Sequence, residues 1–192
     1  MSVLVKFLTN IGYLKQLPRS GWLFAGIRQP ESIADHSYAT IWTALLLAET
    51  INQDWQNQGL MAPLDISHVV QIALVHDLAE SLLTDLPKRS TDLLGKPIKH
   101  RAEADAIQSL LQSLPNGTTY IACWQEYTAD LTPESHLAHD ADKLEMVQQA
   151  LRYEAMGHRN LQEFWEGHRW YYPASETLWQ DLLHQRSRCH PD

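Results

Sequence analysis

Three side chains that can bind a metal ion or move a proton lie close together in an apolar stretch, residues 74–80. His76 and Asp77 are adjacent, and Glu80 follows three residues after the aspartate. On a helix, these offsets place Glu80 beside both other side chains, on one face. Burying unpaired charge is unfavourable, and a bound cation offsets that cost. The stretch therefore predicts a metal site if other parts of the chain supply further ligands.

A hydrolytic metal site needs several imidazole and carboxylate groups that converge and leave a position for water. The best third ligand is His36, next to Asp35 at the start of a largely apolar segment. A fourth comes from residues 139–145, where helical periodicity does not decide between Asp140 and Asp142. A single histidine in an apolar helix is more often a core residue, and the acids can be solvated. The combination of sites, rather than any one of them, favours a metal centre.

The elements that must position these residues are helices joined by loops. Apolar residues recur at helical spacing and nowhere alternate over a long run, which predicts an all-α fold without a sheet. Asp65 or Ser67 can cap the third helix, and Thr132 with Pro133 begins another that should end at Gly157. The predicted helices cover about residues 4–14, 31–52, 65–80, 98–114, 119–129, 132–156, 161–168 and 175–186.

The composition is typical of a globular protein. The 192 residues are 44% hydrophobic and 20% charged, and they suffice for one domain with a core. A net charge of -8 argues against polymeric nucleic acid as a partner. The apolar run at the N-terminus is too short for a signal peptide or a membrane span. Cys123 and Cys189 match no metal or disulfide pattern, so we expect a cytoplasmic protein with no membrane partner.

The sequence around the candidate ligands identifies a protein family more specifically than the ligand residues alone. It reads Gly-Trp at 21–22, Pro-Glu-Ser-Ile-Ala-Asp-His-Ser-Tyr at 30–38, Ala-Leu-Val-His-Asp-Leu-Ala-Glu at 73–80, Thr-Asp-Leu-Pro at 84–87, Lys-His-Arg at 99–101 with Glu103, and Ala-Asp-Lys-Leu-Glu-Met at 141–146. This order resembles the HD-domain metal-dependent phosphohydrolase superfamily, and within it the 5′-deoxynucleotidase-like subfamily. The resemblance implies a single-domain HD-type helical bundle over residues 1–192. The motif-bearing core covers about 3–170, and a C-terminal helical extension covers about 171–192.

For the metal, the resemblance implies one divalent cation held by four side chains, namely His36, His76, Asp77 and Asp142. It selects Asp142 over Asp140 because the family's last aspartate precedes a stretch of the Lys-Leu-Glu-Met type. Two imidazoles and two carboxylates suit Mn²⁺, Co²⁺, Fe²⁺, Zn²⁺ or Mg²⁺, and the sequence does not choose among these ions.

Two acids are candidates for the catalytic work. We expect Glu80 to handle the proton, because it lies beside the ligands on the predicted helical face. The alternative is that Glu80 transfers no proton and instead orients the metal ligand His76 by contacting it. The family pattern suggests that Asp85 positions the water or a sugar hydroxyl. The equal alternative is that Asp85 is an ordinary acid in a loop and has no role in catalysis.

The substrate contacts are expected mainly in residues 18–30, a segment rich in glycine and proline. Better-known nucleotidases of this type carry an arginine directly before the tryptophan, and another one position after Arg28. This chain has Gly21 and Gln29 there. Trp22 can stack on the base or sugar, and its alternative fate is a core tryptophan. The phosphate contacts are therefore expected from other cations, namely Arg19, Arg28, Lys88 and Lys99.

The resemblance implies a metal-dependent phosphomonoesterase that hydrolyses (deoxy)nucleoside 5′-monophosphates, a small-molecule substrate, and that forms a homodimer. One alternative is an HD hydrolase that acts on a cyclic nucleotide, an alarmone or a nucleoside triphosphate. Polyphosphate substrates need more nearby cations than the four candidates supply. The other alternative is a non-catalytic metal-binding helical protein, against which the complete set of candidate ligands argues.

Overall fold

The structure, a computed structural model, describes residues 2–189. Over that range, strand-type pairing is limited to one isolated bridge between Pro18 and Ser32, so the prediction of an all-α fold is confirmed. The helices are α1 (Val3–Tyr13), α2 (Ser20–Phe24), α3 (Ile33–Gln53), α4 (Ile66–Val75), α5 (Glu80–Leu83), α6 (Lys88–Leu94), α7 (Lys96–Leu111), α8 (Gly117–Ala129), α9 (Pro133–Ala155) and α10 (Pro173–Cys189), with a 3₁₀ turn at Gln162–Phe164.

By its internal packing, the described chain divides into two units. The first unit consists of the residues up to Tyr38 together with Leu74–Ala129, and in it α7 packs against α1, α5, α6 and α8. The second unit consists of Ala39–Ala73 and the residues from Asp130 onward, and in it α9 packs against α10 and the 3₁₀ turn. Most of the residues predicted to do chemistry belong to the first unit.

The single domain over residues 1–192 stays a prediction. Helices α3 and α4 each contribute residues to both units. The predicted C-terminal extension, about residues 171–192, contains α10, and its last three residues lie outside the described part of the chain.

Local caps determine where the helices that carry candidate residues begin. Ser32 and Asp35 form a capping box at α3: the Ser32 N–H donates to Asp35 Oδ2 at 2.9 Å, and the Asp35 N–H donates to Ser32 Oγ at 3.1 Å. Asp65 caps α4 by accepting a bond from the His68 N–H at 3.1 Å, so the first of the two caps predicted there is confirmed. Each cap contributes about 1 kcal/mol of stability. The box at α3 places His36 in the first turn of that helix.

The beginning and the end of α9 agree with the prediction from the sequence. Thr132 Oγ1 accepts a bond from the Ser135 N–H, and Ser135 Oγ accepts one from the Thr132 N–H, both at 3.1 Å. Pro133 occupies the first helical position. At the other end, Gly157 has a φ of 93° and its N–H donates to the Glu154 carbonyl at 2.9 Å. Glycine adopts this left-handed conformation at little cost, which explains why the helix ends there.

Several predicted boundaries are wrong. Residues 18–30, predicted as a loop, contain the short helix α2, and α6 lies in a stretch for which no helix was predicted. The helix predicted for about residues 98–114 begins at Lys96 and ends at Leu111. The helix predicted for about residues 161–168 is a single 3₁₀ turn. Short helices are stabilised by tertiary contacts rather than by their own sequence, which explains why α2 and α6 were missed.

The most important correction concerns the single helix predicted for residues 65–80. Helix α4 ends at Val75, and a turn separates it from α5. In this turn the Leu78 N–H donates to the Val75 carbonyl at 3.2 Å, and the Glu80 N–H donates to the Asp77 carbonyl at 3.1 Å. These bonds span three residues instead of four and tighten the backbone. His76, Asp77 and Glu80 therefore do not follow the spacing of one continuous α-helix.

One 18-residue stretch, Ile66–Leu83, is long and apolar enough to cross a membrane, with a mean hydropathy of 1.2. Half of this stretch is buried inside the protein, and the turn before α5 interrupts its helix. Both features are typical of a core segment, so the stretch is weak evidence for a membrane span.

Candidate active site

Three candidate ligand atoms converge in the first unit. His36 Nε2 lies 3.3 Å from His76 Nε2, and Asp77 Oδ2 lies 3.5 Å from the former and 3.2 Å from the latter. Atoms that bind one metal ion at about 2.0–2.2 Å stand about 3.0–3.5 Å apart in octahedral or tetrahedral arrangements. The three separations therefore fit a single small divalent cation.

Burial and ring packing fix the two imidazoles. His36 is 0% exposed and His76 is 5% exposed. Their rings meet edge to face with centroids 5.4 Å apart, and the ring of Tyr127 packs edge to face against His76 at 5.6 Å. His36 belongs to the first turn of α3, and His76 directly follows the last residue of α4. Side chains fixed by packing in this way are suited to hold a ligand in one geometry.

Arg19 contacts the candidate ligands directly. Its Nη1 lies 3.2 Å from Asp77 Oδ2, the oxygen that also faces both imidazoles. Burial raises the pKa of Asp77, but His76, Arg19 and His36 outweigh burial and hold this pKa well below its ordinary value. Asp77 is therefore ionised at neutral pH, as a carboxylate that binds a metal has to be.

Glu80 is a buried acid at the first position of α5. Its Oε2 makes no hydrogen bond to any residue between 2 and 189. Burial and the negative charges of Asp77 and Asp85 raise the pKa of Glu80 well above its ordinary value, while Arg19 and Lys99 oppose this rise. A carboxyl group in such surroundings can hold a proton and release it when the nearby charge changes.

Asp85 is engaged by the beginning of α2. Its Oδ2 accepts a bond from the Ser20 N–H at 2.6 Å. The Ser20 hydroxyl lies 3.0 Å from the Asp85 carbonyl oxygen and 3.1 Å from its Oδ2. All three contacts join Asp85 to Ser20. The role of Asp85 in positioning water or a sugar hydroxyl stays a prediction.

The side chains predicted to contact substrate differ in exposure. Trp22 is 1% exposed, and its indole N–H donates to Glu31 Oε1 at 2.9 Å, an environment typical of a core tryptophan. Arg28 and Lys88 are exposed, and Lys99 pairs with a glutamate one turn further along α7. Their roles in binding, and the stacking role of Trp22, stay predictions.

Helix α9, in the second unit, carries both aspartates that were candidates for the fourth ligand. Asp140 is 0% exposed, and its Oδ2 accepts bonds from the N–H groups of Tyr171 at 2.9 Å and Tyr172 at 3.2 Å. Asp142, two residues further on, is partly exposed. Because Asp140 already satisfies two backbone N–H groups, its contacts support the choice of Asp142, which stays a prediction.

Two contributors to this site were not identified from the sequence. Ser20 meets Asp85 although 65 residues separate them, and Tyr127 packs against His76. A serine in a proline-rich segment and a tyrosine in a helix carry no local signal of these contacts. The position of Ser20 directly after Arg19 is the one hint that the sequence offers.

Replacing Asp77 by alanine should remove metal binding, because the other two ligand atoms of the first unit then lack their carboxylate partner. Losing even a residue that only supports a ligand typically costs 10–100-fold in metal affinity, so we expect a loss of at least about 100-fold for Mn²⁺ in calorimetric titration. Asp92→Ala removes an exposed aspartate of α6 and should bind Mn²⁺ like the unaltered protein. Unchanged affinity in Asp77→Ala would contradict the ligand assignment.

The chain resembles known proteins over most of its length. The HD domain family model matches residues 11–176. The chain is 33% identical to the 5′-deoxynucleotidase HDDC2 of Danio rerio, with 98% of this chain and 90% of that protein covered. It is 34% identical to the 5′-deoxynucleotidase hdd1 of Schizosaccharomyces pombe, with 96% and 91% covered. A solved structure of a Pyrococcus horikoshii protein superposes with a TM-score of 0.78 at 32% identity, covering 97% of this chain and 99% of that one. The resemblance inferred from the motifs is thus confirmed, and the chain belongs to the HD domain family.

Proposed function

We propose that this chain is a metal-dependent phosphomonoesterase that hydrolyses (deoxy)nucleoside 5′-monophosphates to nucleoside and phosphate. The observation that carries the proposal is the convergence of His36, His76 and Asp77 on one point beside a guanidinium group. Imidazole and carboxylate donors suit a catalytic divalent cation, and a neighbouring arginine suits a phosphate group. Relatives named 5′-deoxynucleotidase, of which this chain covers about nine tenths, support the substrate class.

We assign one divalent cation to His36, His76 and Asp77, with Asp142 as the fourth ligand expected from the family resemblance. The mixed nitrogen and oxygen donors suit Mn²⁺, Co²⁺, Fe²⁺, Zn²⁺ or Mg²⁺. Polarisation of a phosphoryl oxygen and activation of a water molecule are the chemistry that such an ion supplies.

The side chains around the metal ligands divide the remaining work. The Arg19 guanidinium contacts Asp77, and as a planar cation it suits the binding of phosphoryl oxygens next to the metal ligands. Glu80 holds and transfers a proton at its buried Oε2, which the chain from residue 2 to 189 leaves without a hydrogen bond. The exposed Arg28 and Lys88 add positive charge for an incoming nucleotide.

A panel of ribo- and deoxyribonucleoside 5′-monophosphates tests the function. The protein is first treated with a chelator, and Mn²⁺, Co²⁺, Zn²⁺ or Mg²⁺ is then restored. Released orthophosphate should be highest with deoxyribonucleotides. If monophosphates release none while a triphosphate yields pyrophosphate or tripolyphosphate, or a cyclic nucleotide opens, the alternative HD hydrolase is correct. If the metal binds and nothing is hydrolysed, the protein is a non-catalytic binding protein.

Replacing Glu80 by glutamine should separate catalysis from metal binding. Glutamine keeps the shape of the side chain but cannot transfer a proton, and general acid–base catalysis typically contributes about 10²–10⁴-fold. We expect kcat to fall at least about 100-fold, with Mn²⁺ affinity retained in calorimetry. Asp105→Asn, an exposed acid on α7, is the matched control. A nearly normal kcat would show that Glu80 only orients a neighbouring group.

We also propose that the protein is a cytoplasmic homodimer. Helix α1 exposes four apolar side chains to between 47% and 58%, namely Val3, Leu4, Val5 and Leu8. Leu4 and Leu8 lie one turn apart and share a face, so a second copy that packs against this face in a twofold dimer removes their apolar surface from water. The cytoplasmic assignment rests on the sequence, in which Cys123 and Cys189 match no disulfide pattern.

Sedimentation velocity tests the dimer. A particle of about twice the chain mass of 22.0 kDa is expected. The double variant Leu4→Glu with Leu8→Glu places charge on the exposed apolar face and should shift the protein to monomer. Lys6→Glu, on the same helix, should not. A monomer at all concentrations would refute the proposal.

A further inference from the structure

The short helix α2 connects Arg19 with a distant part of the chain. Arg19 is the residue before α2; its N–H donates to the Glu31 carbonyl at 3.0 Å, and its side chain reaches Asp77. Ser20 is the first residue of α2, and its N–H and hydroxyl both meet Asp85. The backbone that carries the guanidinium is therefore held on one side by Glu31 and on the other by Asp85.

One turn further along α2, the same face of the helix makes a second contact, with Arg89. Ser20 and Phe24 are four residues apart and so share a face of the helix. Arg89 lies in the first turn of α6, and its guanidinium is 4.8 Å from the centre of the Phe24 ring. A cation–π contact at an exposed site is a weak attachment. The bond from the Ser20 N–H to a carboxylate is the stronger attachment, because its acceptor is charged.

The backbone before Asp85 is held in a costly conformation. Thr84 has a φ of 63° and a ψ of 166°, a combination that only glycine adopts readily. A residue other than glycine stays in this conformation only when surrounding contacts determine its position. The contacts that follow at once are those of Asp85 with the beginning of α2. They define where the Asp85 carboxylate lies.

We propose that Asp85 is a positioning residue, which holds Arg19 against Asp77 through the first turn of α2 and does not itself touch the water or the sugar. The inference rests on the proposed function, because that function assigns Arg19 to the phosphate. A helix of five residues does not hold its own first turn without tertiary contacts. Loss of the Asp85 carboxylate therefore releases the guanidinium, which weakens phosphate binding and removes a positive charge from Asp77.

Asp85→Asn and Asp85→Ala distinguish this role from a catalytic one. The asparagine oxygen can accept the Ser20 N–H, but the amide has no negative charge with which to orient water or take a proton. We expect Asp85→Asn to keep kcat/KM within about threefold. Asp85→Ala should raise KM about tenfold with kcat nearly unchanged, the cost of one lost charged hydrogen bond. A fall of kcat by a similar large factor in both variants would overturn the proposal.

A double-mutant cycle with Arg19→Ala tests whether Asp85 acts through the arginine. If it does, Asp85→Ala should change KM little further when Arg19 is already absent, so the two losses do not multiply. Multiplied losses would show independent action and overturn the proposal. Ser20→Ala removes the hydroxyl contacts with Asp85 but keeps the backbone N–H. Its KM should lie between those of the unaltered protein and Asp85→Ala, so it tests the same contact if Asp85→Ala folds poorly. Asp92→Ala, an exposed acid on α6, is the matched control.

Calorimetric titration with Mn²⁺ alone supplies a readout that needs no hydrolysis. The Arg19 guanidinium competes with a cation for Asp77 Oδ2, so Arg19→Ala and Asp85→Ala should each bind Mn²⁺ several-fold more tightly, as expected when a nearby like charge is removed. Asp85→Asn loses the same negative charge as Asp85→Ala but keeps an acceptor for the Ser20 N–H, so it should bind Mn²⁺ less tightly than Asp85→Ala. If no nucleotide is hydrolysed and this pattern still appears, the proposed function fails and the positioning role stands. Equal affinity in all four proteins would overturn the positioning role itself.

Discussion

Two imidazole nitrogens and one carboxylate oxygen face one another at 3.2–3.5 Å, and the structure around them depends on that arrangement. An imidazole N–H can donate across one of these separations at a time, but the negative charge of Asp77 still requires a positive partner. Arg19 balances part of the charge through its contact with Asp77. A divalent cation balances more of it and satisfies all three atoms at once. The capping box of α3 and the end of α4 bring the ligands to this point.

The two acids of the stretch that follows α4 have opposite electrostatic environments. Asp77 lies against positive and imidazole groups that hold its pKa low, whereas burial and neighbouring carboxylates raise the pKa of Glu80. Carboxyl groups whose pKa values diverge in this way commonly take different roles at one site. The environment thus supports Asp77 as a ligand and Glu80 as the residue that handles a proton. Asp85, a third acid nearby, contacts the first turn of α2 and so differs from both.

The sequence predicted those features that depend on neighbouring residues. The caps at Asp65 and Thr132 and the helix end at Gly157 are local, and the structure confirms them. The end of α4 at Val75 was not predicted, because the apolar pattern continues through the turn that follows. Helix α2 was not predicted, because its segment is rich in glycine and proline and the helix is stabilised by distant contacts rather than by its own helix propensity.

For the candidate site, residue types and motif order identified the ligand candidates, but their geometry required the structure. The spacing of the three side chains was predicted for a continuous helix, whereas the structure has a turn whose hydrogen bonds span three residues. The partner of Asp85 could not be predicted, because the contact with Ser20 spans 65 residues and carries no local signal. Trp22 illustrates the same limit, since its burial depends on how α2 packs rather than on its neighbours in the sequence.

Anomalous X-ray diffraction from crystals grown with Mn²⁺ tests the central claim most directly, because it locates the ion independently of any activity. We expect one Mn²⁺ peak at about 2.0–2.3 Å from His36 Nε2, His76 Nε2 and Asp77 Oδ2. A peak that lacks either imidazole, or an ion bound elsewhere while these three atoms stay unliganded, would contradict it.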